Sequence, residues 1–166
     1  LIFVVLGTHE LPFTRLLQAI DQLIAKGIIT EQVIAQIGHT HFNSNQMQLH
    51  TFLTYEQMDH LYEQADLIVT HAGTGSVISG LKKGKVVIAV PRLMQFGEHN
   101  DDHQLQLIDA FERQGHILAC RDTNQLEQVF EQCKQFNPKP FQSGRTRLFS
   151  ILNQFIQQEM TGINTD

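Results

Sequence analysis

The amino-acid sequence predicts an α/β protein, a doubly wound parallel sheet in a single domain, and three observations carry that prediction. Short runs of β-branched and aliphatic residues alternate with longer stretches whose apolar positions recur every three or four residues. The clearest run, Val86 to Val90, is apolar throughout, as a strand covered on both faces must be. Glycine or proline closes most segments, at Gly7, Gly27, Gly38, Gly84, Pro91 and Gly115. Strand–helix–strand units of this kind assemble with right-handed crossovers.

Each element follows in order. Ile2 to Leu6 reads as a buried strand closed by Gly7, and Leu16, Leu17, Ile20, Leu23 and Ile24 mark one face of the helix that follows. Val33 to Ile37 is a second strand, and Gln46 to Leu53 alternates weakly as a third. Met58, Leu61, Tyr62 and Ala65 set the face of a helix over 55–64, with Thr54 as its N-cap. Leu67 to Thr70 is a strand, 75–83 a helix, and Val86 to Val90 a strand ended by Pro91. A helix over 101–114, a strand over 117–120, a helix over 123–136 and a terminal helix over 145–158 complete the chain. The domain is expected over 1–160, with 161–166 as a frayed tail.

Composition narrows the function. The chain has 166 residues, 17 acidic against 12 basic, so its net charge is −5 and no basic stretch is interleaved with aromatics. That excludes a nucleic-acid binder. Cys120 and Cys133 form no spaced cluster, which suits a reducing compartment. The longest apolar run is far short of the roughly 20 residues that span a bilayer, so any membrane role is expected to be peripheral.

Ligands of doubly wound sheets bind where the loops meet at the carboxyl ends of the strands. Three polar loops fall there. The most informative is His71-Ala72-Gly73-Thr74-Gly75-Ser76, between a strand and a helix. Its glycines let backbone approach a ligand, the helix start offers N–H groups and a positive dipole end, and Thr74 and Ser76 add hydroxyls. This is a diphosphate cradle, or else only a tight strand-to-helix turn. A dinucleotide fingerprint fails because Ile78 stands at its third glycine, and a P-loop fails because Val86 follows Gly84-Lys85. The second loop, Gly7-Thr8-His9-Glu10, can face the same cleft, with His9 as a candidate proton acceptor. The third, Glu98-His99-Asn100-Asp101-Asp102-His103-Gln104, offers Asp101 as a helix cap and His99, Asn100 and Gln104 as partners for sugar hydroxyls. His99 and His103, four apart, could instead hold a metal. His39-Thr40-His41 reads as an exposed loop.

Taken together, Gly7-Thr8, the 71–76 loop, Pro91 and Glu98-His99-Asn100-Asp101 with Gln104 resemble the C-terminal, nucleotide-sugar-binding half of glycosyltransferase family 28. The likeness covers about residues 1–135 and is greatest to the separately encoded small subunits of two-part transferases. These include the catalytic subunit of the dolichol-linked N-acetylglucosaminyltransferase and a bacterial exopolysaccharide or capsule β-glycosyltransferase subunit. The resemblance implies a Rossmann-like domain matching one half of a GT-B enzyme, and an inverting transfer of a hexose or N-acetylhexosamine from a UDP-sugar, without bound metal or other cofactor, to a lipid-linked sugar acceptor. It implies diphosphate contacts at Gly7, Thr8, His71, Gly73, Thr74, Gly75 and Ser76, and donor-sugar contacts at Glu98, His99, Asn100, Asp101 and Gln104. Ser79 stands where a relative carries a ribose-binding Glu, so ribose recognition is unassigned. The acceptor half is missing from a chain of this length. A membrane-anchored partner subunit is therefore implied, holding this chain at the cytoplasmic face of the membrane. The base is then His9 or a partner residue, and the terminal helix with Arg145 and Arg147 is a candidate docking element; the isolated half could also self-associate. The rival readings are a UDP-sugar epimerase, a non-enzymatic nucleotide-binding or scaffold subunit, and a metal hydrolase built on His99 and His103.

Overall fold

The computed structural model describes residues 1–142, so the terminal helix expected over 145–158, with Arg145 and Arg147, lies outside the described residues. Six parallel strands form one sheet: β1 (Ile2–Val5), β2 (Val33–Gln36), β3 (Gln48–His50), β4 (Leu67–His71), β5 (Val86–Val90) and β6 (Leu118–Ala119). Their order across the sheet is β3-β2-β1-β4-β5-β6. Val4 pairs with Ala35 on one side and with Val69 on the other, so β1 stands at the centre.

Among the described residues five α-helices cover the two faces: α1 (Thr14–Ala25), α2 (Tyr55–Gln64), α3 (Thr74–Lys82), α4 (His103–Arg113) and α5 (Leu126–Cys133). Successive strand residues point to opposite faces, so Val4 joins Leu16, Ile20, Leu126 and Val129 of α1 and α5, while Phe3 and Val5 join Tyr62, Val77, Ile108 and Phe111 of α2, α3 and α4. Each face thereby closes its own apolar core. α2 starts at a capping box, in which Thr54 Oγ1 accepts from Gln57 N and Gln57 Oε1 accepts from Thr54 N.

Boundaries shift where side chains claim the backbone. The weak strand expected over 46–53 shrinks to the three residues of β3, an edge strand with little to bury. α4 begins at His103, two residues later than expected, and Asp101 is not its N-cap: that place falls to Asp102. The carboxylate of Asp102 instead accepts from Met94 N, while Asp101 accepts from His103 N. The segment after Asp122 opens as a 3-10 turn over Thr123–Gln125 before α5.

Candidate functional site

The chain runs outward from β1 through β2 to β3, then returns to β1's other side as β4. Beside β1 and β4 the strand order therefore reverses, and the loops leaving these strands diverge and open a crevice. A cleft of about 460 Å³ lies there, bordered by Gly7, Thr8 and His9 on one side and by Gly73, Gly75 and Ser76 on the other, with His71, His99, Gln104 and Gln36 among its walls.

The β1 loop is held by two side chains from elsewhere in the fold, Gln36 at the end of β2 and Arg92 in the loop after β5. Gly7 takes φ +76°, which only glycine adopts without strain. Gln36, at the end of β2, accepts from Gly7 N at 3.1 Å and donates to Gly7 O at 3.0 Å and to Thr51 O. Arg92, 1% exposed, donates to Leu6 O and Leu11 O, both at 2.7 Å, and to Glu98 O, with its guanidinium over the Phe13 ring. Glu98, 2% exposed, accepts from Arg15 at 2.7 and 3.0 Å and from Leu93 N. A buried Arg92–Glu98–Arg15 network thus ties the β1 loop to the β5 loop and leaves positive charge behind the cleft. Burial brings Arg92 down to about 10, still a cation at neutral pH.

The β4 loop is ordered from within. The His71 ring is wedged between Gly7 and Gly73: a Cβ on Gly73 would overlap the ring, and one on Gly7 would come 2.5 Å from Nε2. Gln104 Oε1 accepts from Ala72 N and Arg92 N, joining this loop to the one after β5. Desolvation first, then Arg92, His99 and His9, pushes His71 down to about 3, so it is neutral. α3 follows with Gly73 as N-cap and no side-chain cap. Its positive end thus faces the cleft undressed, in contrast to the boxed start of α2. A Cβ on Gly75 would meet nothing within 4 Å, so space there is open to a ligand. Tyr62 donates to Ser76 O at 3.2 Å and fixes the start of α3 against α2.

Of the cradle expected from the sequence, Gly7, Thr8, His71, Gly73, Gly75 and Ser76 line the cleft, whereas Thr74 does not. Of the sugar-binding set, His99 and Gln104 line it. Glu98 does not: its carboxylate is buried in the loop-bracing network, and contact with a sugar would break that network. Asn100 and Asp101 also lie outside the lining, and the Asp101 carboxylate sits between His99 Nδ1 at 3.2 Å and His103 Nδ1 at 3.3 Å. Among the described residues no group of three or more His, Cys, Asp and Glu side chains converges as metal ligands.

His9 does reach the cleft, stacked on His99 with ring centroids 4.4 Å apart. Burial, His99 and Arg92 hold it below its ordinary pKa, against Glu10 and Asp101, which favours the neutral ring. Its Nδ1 accepts from Leu11 N at 3.1 Å, so the neutral ring carries its proton on Nε2. It offers the cleft a donor, and the lone pair a base needs is already engaged. His9 fits a base only if its ring turns away from Leu11.

Gln36, Arg92, Arg15 and Gly80 went unassigned in the sequence. Arg92 carried one signal, a charge directly behind a fully apolar strand and a proline. Gly80 stands two residues past the failed fingerprint position, where a Cβ would meet Val87 Cγ2 at 2.8 Å. It gives α3 its close seat on the sheet.

A six-stranded parallel sheet with helices on both faces and a glycine loop at its switch point is a Rossmann-like α/β domain, the fold found in GT-B glycosyltransferases. The chain belongs to glycosyltransferase family 28: the family's C-terminal domain model matches residues 1–159. Among relatives, it is 30% identical over 96 residues to the human "UDP-N-acetylglucosamine transferase subunit ALG13", covering 54% of this chain and 8% of that protein. The Candida albicans subunit of the same name is 29% identical over 121 residues, covering 72% of this chain and 36% of that one. The match to the mouse subunit, 26% identical over 118 residues, takes in 60% of this chain and 10% of the relative, so this chain corresponds to a small part of the mammalian proteins. By fold it is similar to a solution structure of ALG13, with a TM-score of 0.59 and 21% identity, covering 91% of this chain and 93% of that one. It is also similar to MurG of Acinetobacter baumannii, with a TM-score of 0.57 and 19% identity over 80% of this chain and 40% of that enzyme.

Proposed function

We propose that this chain is the donor-binding, catalytic subunit of a two-part inverting glycosyltransferase that uses a UDP-sugar. The observation that carries the proposal is the uncapped N-terminus of α3, with Gly75 open beside it, facing a switch-point cleft backed by Arg92. A diphosphate in that cleft meets main-chain N–H groups and the dipole of α3. The names of the relatives favour UDP-N-acetylglucosamine as the donor. None of them points to the exopolysaccharide or capsule pathway expected from the sequence, so the acceptor is proposed only as a lipid-linked sugar.

In the proposed reaction the acceptor hydroxyl oxygen attacks the anomeric carbon as the bond to the β-phosphate oxygen breaks. UDP leaves on the opposite face, carrying the bond's electron pair. The positive end of α3 and the buried Arg92 meet the growing charge on UDP, and the proposal takes no metal. Since the lone pair of His9 is engaged by Leu11, we assign the base that takes the acceptor proton to the partner subunit. That partner would be the membrane-anchored half, holding this chain at the cytoplasmic face. Among the described residues no helix is long and apolar enough to cross a membrane.

Titration calorimetry with UDP and a panel of UDP-sugars tests the donor assignment: micromolar binding that Gly75→Val abolishes is expected, and binding indifferent to Gly75→Val removes it. Transfer by the reconstituted pair, but by neither subunit alone, separates a transferase from a scaffold.

A further inference from the structure

The neighbours of His71 assign its protons. Ala72 N–H and Arg92 N–H both point at one atom of the Gln104 side-chain amide, at 3.2 and 2.9 Å. Two donors can meet only the carbonyl oxygen, so the other atom is the NH₂ group. That NH₂ lies 3.1 Å from His71 Nδ1 and has only hydrogens to offer, so Nδ1 supplies a lone pair. A neutral imidazole with its lone pair on Nδ1 carries its proton on Nε2. Nε2 lies 3.3 Å from Ser76 Oγ, and the ring therefore donates to the serine. The serine's own hydrogen cannot point back at the ring, and it meets no other acceptor among the described residues. Ser76 stands in the first turn of α3, on the wall of the cleft.

We propose that His71 is a positioning residue: Gln104 locks it in the Nε2–H form, and it thereby presents the Ser76 hydroxyl to the cleft as a hydrogen-bond donor for an anionic oxygen. That the oxygen belongs to a nucleotide diphosphate rests on the function proposed above. Gly7 and Gly73, packed on the ring from the two loops, keep it from turning. The charged or titratable groups acting on it are Arg92, His99 and His9, all of which oppose its protonation. A donor oriented before the ligand arrives needs no rearrangement when negative charge builds on the leaving group. The same geometry gives Gln104 a task other than touching sugar: it sets the polarity of a serine through the ring between them.

Two measurements test this. The first is the ¹⁵N NMR of the histidine rings in the unliganded chain. His71 is expected to show a protonated Nε2 and a bare Nδ1, unchanged between pH 8 and pH 5. A protonated Nδ1, or a ring that titrates at its ordinary value, overturns the proposal whether or not UDP binds.

The second is a double-mutant cycle of Gln104→Glu with Ser76→Ala, read by UDP calorimetry at pH 8. Gln104→Glu keeps an oxygen for Ala72 N and Arg92 N but sets a second acceptor against Nδ1. The ring proton moves there, Nε2 becomes the acceptor, and the Ser76 hydroxyl turns from the cleft to the ring. Ser76→Ala alone is expected to weaken UDP about tenfold, as the loss of one hydrogen bond to a charged group does. Gln104→Glu is expected to cost about tenfold more when Ser76 is present than when it is alanine. Equal cost in both backgrounds overturns the relay, because the new carboxylate then acts by charge alone. Should the wild-type chain bind no UDP, the donor assignment falls while the ring nitrogens still decide the tautomer, and they do so too if Gln104→Glu fails to fold.

Discussion

Gly73 and Gly75 stand two residues apart and are glycine for opposite reasons. A Cβ on Gly73 would overlap the His71 ring, whereas one on Gly75 would enter open space at the start of α3. Gly73→Ala is therefore expected to destabilise the fold by about 1–3 kcal/mol in denaturant melts, as overpacking does. Gly75→Val should melt as the wild type does and still lose UDP at least a hundredfold, because its branches fill the ligand's space. Arg92 makes a third case. Arg92→Met removes the donor from Leu6 O, Leu11 O and Glu98 O and takes positive charge away from the buried Glu98. A loss of about 3–5 kcal/mol is expected in equilibrium unfolding, the cost of breaking one side of a buried charge network.

At the scale of elements, α1, α3, α4 and α5 all start without a side-chain cap, and α3 does so on the wall of the cleft. α2 begins in the Thr54–Gln57 capping box and needs nothing from outside. α3 begins at Gly73 without a side-chain cap, beside the cleft, so the N–H groups of its first turn are free to meet the diphosphate proposed above. Its other requirement is proximity to the sheet. Gly80 faces Val87 and Ile68 so closely that a larger side chain must push α3 outward. Gly80→Leu is expected to cost about 1–3 kcal/mol and to weaken UDP binding as well, since the displaced helix carries Gly75 and Ser76 with it. Thermal melts together with calorimetry check both effects. The cap of α2 was legible because its bonds span three residues, and the close seat of Gly80 was not, because Val87 and Ile68 meet it only once the sheet has formed.

For the whole molecule, burying neutral His71 links stability to pH. Its folded value of about 3 lies below the unfolded value near 6.5. The linked stability is complete above pH 6.5 and is lost as pH falls toward 3, because over that window the unfolded chain binds a proton that the native one refuses. The slope due to this one proton is about 1.4 kcal/mol per pH unit. Urea unfolding from pH 6 to pH 4.5 is expected to show that slope, and His71→Asn, if it folds, should flatten it by one proton. At this scale the fold matches one half of a GT-B enzyme: the match takes in 80% of this chain but only 40% of MurG.

The order of strands and helices was determined by the sequence itself, since apolar periodicity, closing glycines and caps act over a few residues. The three loops of the site were legible too, because glycines and hydroxyls between a strand and a helix mark a turn whatever surrounds it. Only the tertiary structure decided which loop residues face the cleft and which brace it. Glu98 reads as a sugar ligand in the chain and is a buried partner of Arg15, 83 residues away. Gln36 and Arg92 have no local pattern, yet they hold the loop after β1 across 29 and 86 residues. Hydrogen-bond partners that distant are chosen by strand register and crossover topology, and neither exists until the sheet has closed.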